Sequence, residues 1–196
     1  MTGAEEGPLV VALVGSPRAR GNTSLLVDAA LAELERRGAR VRKVLLAEHL
    51  VGPCMGHEEC ARFKVCPQRD DADTVLDLVY AADGLLLASP VYYENVTAQL
   101  KAFMDRNVFR YAHDQWLPAR AVGLLAVTAE TGLDDALDAM RRYVALSTVS
   151  EVPTLTCGVF ADGLGPDGRG AVAQQPDALA AARTLAAGIA AALDLK

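Results

Sequence analysis

The feature that most constrains this chain is an alternation, five times over, of short β-branched or leucine-rich runs with longer segments whose apolar residues recur at helical spacing. The runs fall at Leu9 to Gly15, Ala39 to Leu46, Gly84 to Ser89, Ala121 to Thr128 and Val152 to Phe160. The helical segments fall at Thr23 to Arg37, Ala72 to Ala82, Val96 to Phe109, Leu133 to Leu146 and Asp177 to Leu193. Parallel strands need long crossover connections, usually helices, so this order predicts an α/β fold with a parallel sheet. Most of the runs are apolar throughout rather than alternating, the pattern of strands covered on both faces. Gly38, just past the first helical segment, is a natural stop. A length of 196 residues provides for one core, and we expect a single domain over residues 1-196.

Composition narrows the function classes. Hydrophobic residues are 52% and charged ones 22%, which excludes disorder for the bulk of the chain. With 19 basic against 25 acidic residues the net charge is −6, so no electrostatic footprint for nucleic acid or an anionic membrane surface exists. No stretch approaches the roughly 20 apolar residues of a spanning helix. Residues Met1 to Glu6 are acidic where a signal peptide begins basic, and the predicted location is cytoplasmic.

Three connections are longer than ordinary links. Ala47 to Asp71 holds Cys54, Cys60 and Cys66 together with His49 and His57, and long loops in compact domains are usually functional. Cys54, His57, Cys60 and Cys66 are residue types that could form a three-cysteine, one-histidine site for iron or zinc. The prediction is nevertheless no metal. Arg110 to Pro118, with His113 and Trp116, is a smaller excursion, and Asp162 to Pro176, rich in Gly and Asp, reads as a flexible loop. Cys157 reads as a small buried apolar residue.

The first predicted strand runs into Gly15-Ser16-Pro17-Arg18-Ala19-Arg20-Gly21-Asn22-Thr23-Ser24 and then directly into a helix. Open α/β sheets place anionic ligands at this point. Ser16, Asn22, Thr23 and Ser24 offer side-chain donors, the first helical amides add more, and Arg18 supplies a charge-assisted partner for a phosphate. A Walker-A loop is excluded because Asn22 stands where its lysine belongs, and a Gly-x-Gly-x-x-Gly turn is excluded because Ser16 and Pro17 fill its positions. The same polar residues also cap helices in any protein. A second strand end leads into Ser89-Pro90-Val91-Tyr92-Tyr93-Glu94-Asn95, where Pro90 makes a turn and the tyrosines offer flat faces with polar tips. Lys101 and Asp105 follow at i and i+4 and can pair on one helix face.

These two segments carry a family resemblance. Gly15-Ser16-Pro17-Arg18, then Gly21-Asn22-Thr23 and Leu25-Leu26, resembles the FMN-phosphate loop of the NADPH-dependent FMN reductases, also described as multimeric flavodoxin-like proteins. Ala88 to Arg106 is similar to the family's second flavin loop and the helix after it. The resemblance, over about Val10 to Arg142, implies a flavodoxin-like three-layer sandwich with strand order 2-1-3-4-5 and FMN at the point where strand order reverses. It assigns flavin contacts to Ser16, Arg18, Asn22, Thr23 and Ser24, to Ser89, Pro90, Val91, Tyr92, Tyr93 and Asn95, and to the loop after the fourth strand at Ala129, Glu130 and Gly132. Family members are often glycine-rich in that last loop, whereas this chain keeps only Gly132.

The implied activity is an FMN-dependent oxidoreductase, a homodimer or homotetramer. NADPH or NADH would deliver hydride to flavin N5, and a small-molecule acceptor would follow by a ping-pong mechanism. No catalytic side chain is assigned, because the flavin carries the chemistry. The resemblance implies that Asp105 and Arg106 are structural. Related iron-sulfur flavoproteins carry four closely spaced cysteines in the long loop for a cubane cluster, and this chain has His57 at the second of those positions. The loop is therefore expected to be metal-free and packed at a subunit interface or over the flavin. Two alternatives stand beside the reductase: an electron-transfer flavoprotein with no nicotinamide site of its own, and a flavin-free regulatory module.

Overall fold

A computed structural model describes residues 7–165 and 167–196. The acidic start, Met1 to Glu6, lies outside the described residues. Five strands form one parallel sheet in the order β2-β1-β3-β4-β5, as the resemblance implies: β1 Leu9–Val14, β2 Arg40–Leu45, β3 Gly84–Pro90, β4 Ala121–Thr128 and β5 Thr154–Phe160. Among the described residues six α-helices connect or follow them: α1 Asn22–Arg36, α2 Ala72–Tyr80, α3 Ala98–Arg106, α4 Val108–Tyr111, α5 Leu133–Ser147 and α6 Pro176–Ala192.

The hydrophobic pattern explains the layering. In β1, alternate residues point to opposite faces. Val10, Ala12 and Val14 pack with α1 and α6, while Val11 and Leu13 pack with α2, α3 and α5. Both faces are thus covered, and the three central strands are buried over nearly their whole length. Only the edge strands β2 and β5 alternate between buried and open positions. Two glycines in the sheet leave room for the side chains of Ile189 in α6 and of Leu193 just after it. A Cβ on Gly123 would lie 2.6 Å from Ile189 Cδ1, and one on Gly84 would lie 2.9 Å from Leu193 Cδ1.

Element ends differ slightly from the sequence reading, each for a local reason. Gly38, with φ at +93°, ends α1 as expected, and the amide of Ala39 reaches back to the Leu34 carbonyl at 3.0 Å. The third helix starts two residues later than expected because Thr97 acts as its cap, its Oγ1 accepting from the Leu100 amide at 3.3 Å. It also breaks at Asn107, whose amide bonds the Met104 carbonyl three residues back and begins the short α4. Gly15 leaves the β1 ladder but still donates to the Ala88 carbonyl at 2.7 Å.

Thr97 also joins the two strand ends that matter for function. Its buried Oγ1 donates to the Gly15 carbonyl at 2.7 Å, while its amide donates to Ser89 Oγ at 3.0 Å. Thr97→Val keeps the shape, removes the cap and leaves the buried Gly15 carbonyl without that donor. We expect a loss of about 1–3 kcal/mol in urea unfolding. A loss below about 0.5 kcal/mol would mean that neither bond contributes beyond the ordinary surface range.

Candidate functional site

The loops after β1, β3, β4 and β5 meet at the carboxyl ends of the strands, beside the point where the chain reverses from β2 on one side of β1 to β3 on the other. A cavity of about 130 Å³ lies there. Ser16, Arg18, Asn22 and Thr23 reach it from the first loop, Pro90 to Tyr92 from the third strand, and Ala129 from the fourth. A second opening of about 240 Å³ adjoins it, sharing Val91 and Ala129, and adds Tyr93, Glu94, Glu130 and Thr131.

Ser16 is buried, and its Oγ accepts from the Arg18 amide at 3.1 Å, fixing the turn. Gly21 precedes α1, and the following amides of Asn22, Thr23 and Ser24 occupy the first turn, where no intrahelical acceptor exists. The helix dipole adds partial positive charge at the same place. The exposed Arg18 stands at the edge of this donor set. A small dianion such as a phosphate group fits that chemistry.

Val91 to Asn95 forms the opposite wall. Tyr92 and Asn95 exchange backbone bonds at 2.9 and 3.1 Å across a two-residue turn. Both central residues, Tyr93 and Glu94, have positive φ, 48° and 58°. That geometry is the type I′ turn, which favours Asn and Gly, so a tyrosine and a glutamate there hold a strained backbone at the mouth of the cavity. Gly132, with φ at +75°, fits under this turn, and a Cβ on it would lie 2.5 Å from the Cα of Glu94. Thr128 Oγ1 sets the neighbouring loop by donating to the Thr131 carbonyl at 2.5 Å and accepting from the Glu130 amide at 3.2 Å.

Several residues assigned from the sequence brace the crevice instead of lining it. Ser24 is fully buried, and its Oγ accepts from Lys43 Nζ at 2.7 Å. Ser89 Oγ donates to the Pro90 carbonyl at 2.8 Å and accepts from Thr97. Asn95 Oδ1 accepts from the Val96 amide at 2.8 Å. Asn22 reaches the cavity, but its side chain is committed to the last loop: Oδ1 accepts from the Val172 amide at 3.0 Å and Nδ2 donates to the Gly163 carbonyl at 3.4 Å. The chain after β5 contributes Ala161, Asp162 and Gly163 to the cavity wall, the last two from the loop that sequence reasoning read only as flexible. Their position directly after a parallel strand was the available signal.

No residue of the cysteine loop lines this crevice. The loop's anchor is Asp70, whose Oδ2 accepts from Arg106 Nη1 at 2.5 Å, the Gly52 amide at 3.0 Å and Gln68 Nε2 at 3.0 Å. Its Oδ1 accepts from the Ala72 amide at 3.1 Å. Burial works against the charge of Asp70, but the Arg106 guanidinium and the two amides outweigh it and hold the carboxyl below its usual range. Arg106, itself almost wholly buried, also donates to Cys66 Sγ at 3.4 Å. The other thiols are engaged locally: Cys60 Sγ donates to the His57 carbonyl, and Cys54 Sγ accepts from the Gly56 amide. His57 places its ring against Phe63, 6.2 Å between centroids. Among the described residues no three His, Cys, Asp or Glu side chains converge as a metal site would require.

The parallel order, the reversal at β1 and the crevice above it define the flavodoxin-like class of α/β proteins. The family of NADPH-dependent FMN reductases matches residues 8–162, and this chain belongs to it. Curated relatives include an iron-sulfur flavoprotein of Archaeoglobus fulgidus, 44% identical over 62% of this chain and 55% of its own length. Another, from Methanocaldococcus jannaschii, is 43% identical over 50% of this chain and 51% of its own. The chain thus spans about half the length of the curated relatives it matches. Among solved structures, RosB with a bound 8-demethyl-8-formylriboflavin-5'-phosphate intermediate superposes with a TM-score of 0.74 at 16% identity, covering 96% of this chain and 79% of its own. The NAD(P)H:quinone oxidoreductase from Methanothermobacter marburgensis has a TM-score of 0.67 at 18% identity, covering 94% of this chain and 97% of its own. At these identities the likeness is one of fold.

The Asp70 carboxyl gives a pH test of the loop anchor. Its folded pKa lies below the unfolded value near about 3.9, so its contribution is complete above that value and is lost as pH falls through the lower folded one. We expect urea midpoints to decline below about pH 4 and Asp70→Asn to remove part of that decline. At neutral pH the same substitution should cost about 3–5 kcal/mol by leaving Arg106 buried without its partner. An Asp70→Asn midpoint equal to wild type at pH 7 would remove the anchor.

Proposed function

We propose that the chain is an FMN-dependent NAD(P)H oxidoreductase that passes electrons to a small-molecule acceptor. One observation carries this reading: a donor-rich cavity at the start of α1, walled on its far side by Pro90 to Tyr92, adjoins a second opening bordered by Val91, Tyr93, Glu94 and Glu130. Such a pair matches one ligand with a phosphate at one end and a flat ring at the other. In this reading Ser16, Arg18 and the amides of Asn22 to Ser24 hold the phosphate of FMN. The backbone of Pro90 to Tyr92 supports the ring edge, and the loop Ala129 to Gly132, its Glu130 amide held by Thr128 Oγ1, faces the pyrimidine end. When bound, FMN supplies the redox chemistry, accepting hydride at N5 from NADPH or NADH.

The protein's own task is positioning. No side chain around the crevice need move a proton, since binding, orientation and exclusion of side reactions suffice for a cofactor that carries the reaction. The slot is open on one side, so donor and acceptor occupy it in turn, and double-reciprocal plots against the two should be parallel. A homodimer or homotetramer would close that open side. The names of the curated relatives favour a second reading, an electron carrier that takes electrons from a protein donor and has no nicotinamide site. Anaerobic addition of NADPH or NADH to the FMN-loaded protein separates the two. Rapid bleaching of the flavin band is the expected result, and reduction only by a protein donor would establish the carrier instead. A protein that takes up no FMN at all would leave the flavin-free module.

Arg18 tests the phosphate end. A charge-assisted hydrogen bond contributes about 1.5–3 kcal/mol, so Arg18→Ala should raise the Kd for FMN by about 10- to 150-fold in calorimetric titration. Riboflavin, which lacks the phosphate, should bind both forms alike. Equal loss of affinity for riboflavin and FMN would move Arg18 from the phosphate to the ring.

A further inference from the structure

We propose that the Asn22 side chain acts as a latch and not as a phosphate ligand. It fastens the chain after β5 across the start of α1, and that chain, through Asp162, sets how strongly the crevice distinguishes a phosphorylated flavin from an unphosphorylated one. The flavin half of this inference rests on the FMN reading above; the latch does not.

One amide group does the fastening at both ends. Asn22 Oδ1 accepts from the Val172 amide at 3.0 Å, and Nδ2 donates to the Gly163 carbonyl at 3.4 Å. The two partners fix which way the group is turned, because the opposite orientation would set donor against donor and oxygen against oxygen. Further contacts make the join close. The Gly170 amide donates to the Arg20 carbonyl at 2.9 Å. A Cβ on Gly170 would lie 2.4 Å from the backbone nitrogen of Asn22 and 2.4 Å from its Oδ1. A side chain at 170 would therefore fall on the first amide of α1, one of those assigned to the phosphate.

Both flanks of the latch are anchored. Beyond Gly170 a short 3₁₀ turn at Ala171–Gln174 places Val172, fully buried, among apolar residues of α1 and α6. Before Asp162, the Ala161 amide donates to the Thr128 carbonyl at 2.8 Å and keeps the chain on the sheet. Ala161, Asp162 and Gly163 are thus held as one wall of the cavity that Ser16 and Arg18 also line.

Charge gives this wall its consequence. Arg18 and Asp162 are the two charged side chains that line the cavity among the described residues, and they have opposite signs. A phosphate dianion is favoured by the first and opposed by the second, whereas riboflavin, uncharged at the same end, responds to neither. Both groups are exposed, so the opposition is modest and screened by salt.

The test uses the full chain and three variants, Asn22→Ala, Gly170→Ala and Asp162→Asn. Each is titrated with FMN and with riboflavin in a calorimeter, and hydrogen exchange is read on the peptide from Gly168 to Gln175, which carries the Gly170 and Val172 amides. Asn22→Ala and Gly170→Ala should both raise the Kd for FMN about 5- to 30-fold, with riboflavin changed by less than about threefold, because the phosphate wall loses its pre-ordering. Both should speed exchange of the peptide at least about fivefold. Asp162→Asn should act in the other direction. It should lower the Kd for FMN about two- to fivefold at low salt, with the gain fading at high salt and riboflavin unmoved.

A direct phosphate contact by Asn22 has a different signature: weaker FMN binding in Asn22→Ala, with peptide exchange and the Gly170→Ala affinity both at wild-type values. That result would overturn the latch. FMN binding by Asp162→Asn no tighter than wild type would overturn the role given to Asp162. Should Gly170→Ala fail to fold, Asn22→Ala and Asp162→Asn, which add no bulk, decide both points. A chain that binds neither flavin would overturn the FMN reading, and exchange alone then judges the latch: faster in Asn22→Ala supports it, unchanged refutes it.

Discussion

Everything in this molecule depends on β1 being paired on both sides, to β2 on one flank and β3 on the other. The chain must leave β1 toward one flank by way of α1, then cross back over it by way of α2. The loops that follow β1 and β3 therefore run apart, and the carboxyl ends of the two strands are left open between them. The opening is a topological necessity, present whatever side chains line it. The residues around it decide only what the crevice can hold.

Those residues divide into liners and braces, and the braces are as polar as the liners. Thr97 links the ends of β1 and β3, and Ser89 fixes the turn through Pro90. Ser24 takes a lysine from β2 and so fastens the first turn of α1 to the sheet edge. A buried hydroxyl must find partners inside the protein, and once it has found them it holds its segment in one place. This arrangement leaves the ligand to backbone amides and to a few outward side chains. Amides held by a braced loop need little reorganisation when an anion arrives, which favours binding through pre-ordering.

The fold was legible because its signal is redundant. Five apolar runs with helical segments between them allow few topologies, and the runs of Leu85 to Leu87 and Val122 to Leu125 announce strands covered on both faces. The two loop segments were legible as a pair for a similar reason, since both fall at strand ends. What could not be read was which way each polar side chain turns. Ser16 and Ser24 look alike in the sequence, yet one meets the cavity and the other meets Lys43 of β2, a residue 19 positions away. Asn22 likewise spends its amide on Gly163 and Val172, and only the closed structure brings the last loop back to the first. Long-range partners of this kind have no local sequence signature.

The strained turn at Tyr93 and Glu94 is best understood from the same division of labour. Two non-glycine residues with positive φ cost of order 1–3 kcal/mol each, a cost that persists only where surrounding structure over-determines the conformation. Here the over-determination is visible: Tyr92 and Asn95 clamp the turn by two backbone bonds, and Gly132 presses beneath Glu94 with no room for a side chain. The consequence is that the fully exposed ring of Tyr93 and the carboxylates of Glu94 and Glu130 are presented at the mouth of the slot on a backbone that does not yield. The clamp thus holds the Tyr93 ring in solvent at the edge of the opening, and its position there is set by backbone contacts and not by packing of the ring itself.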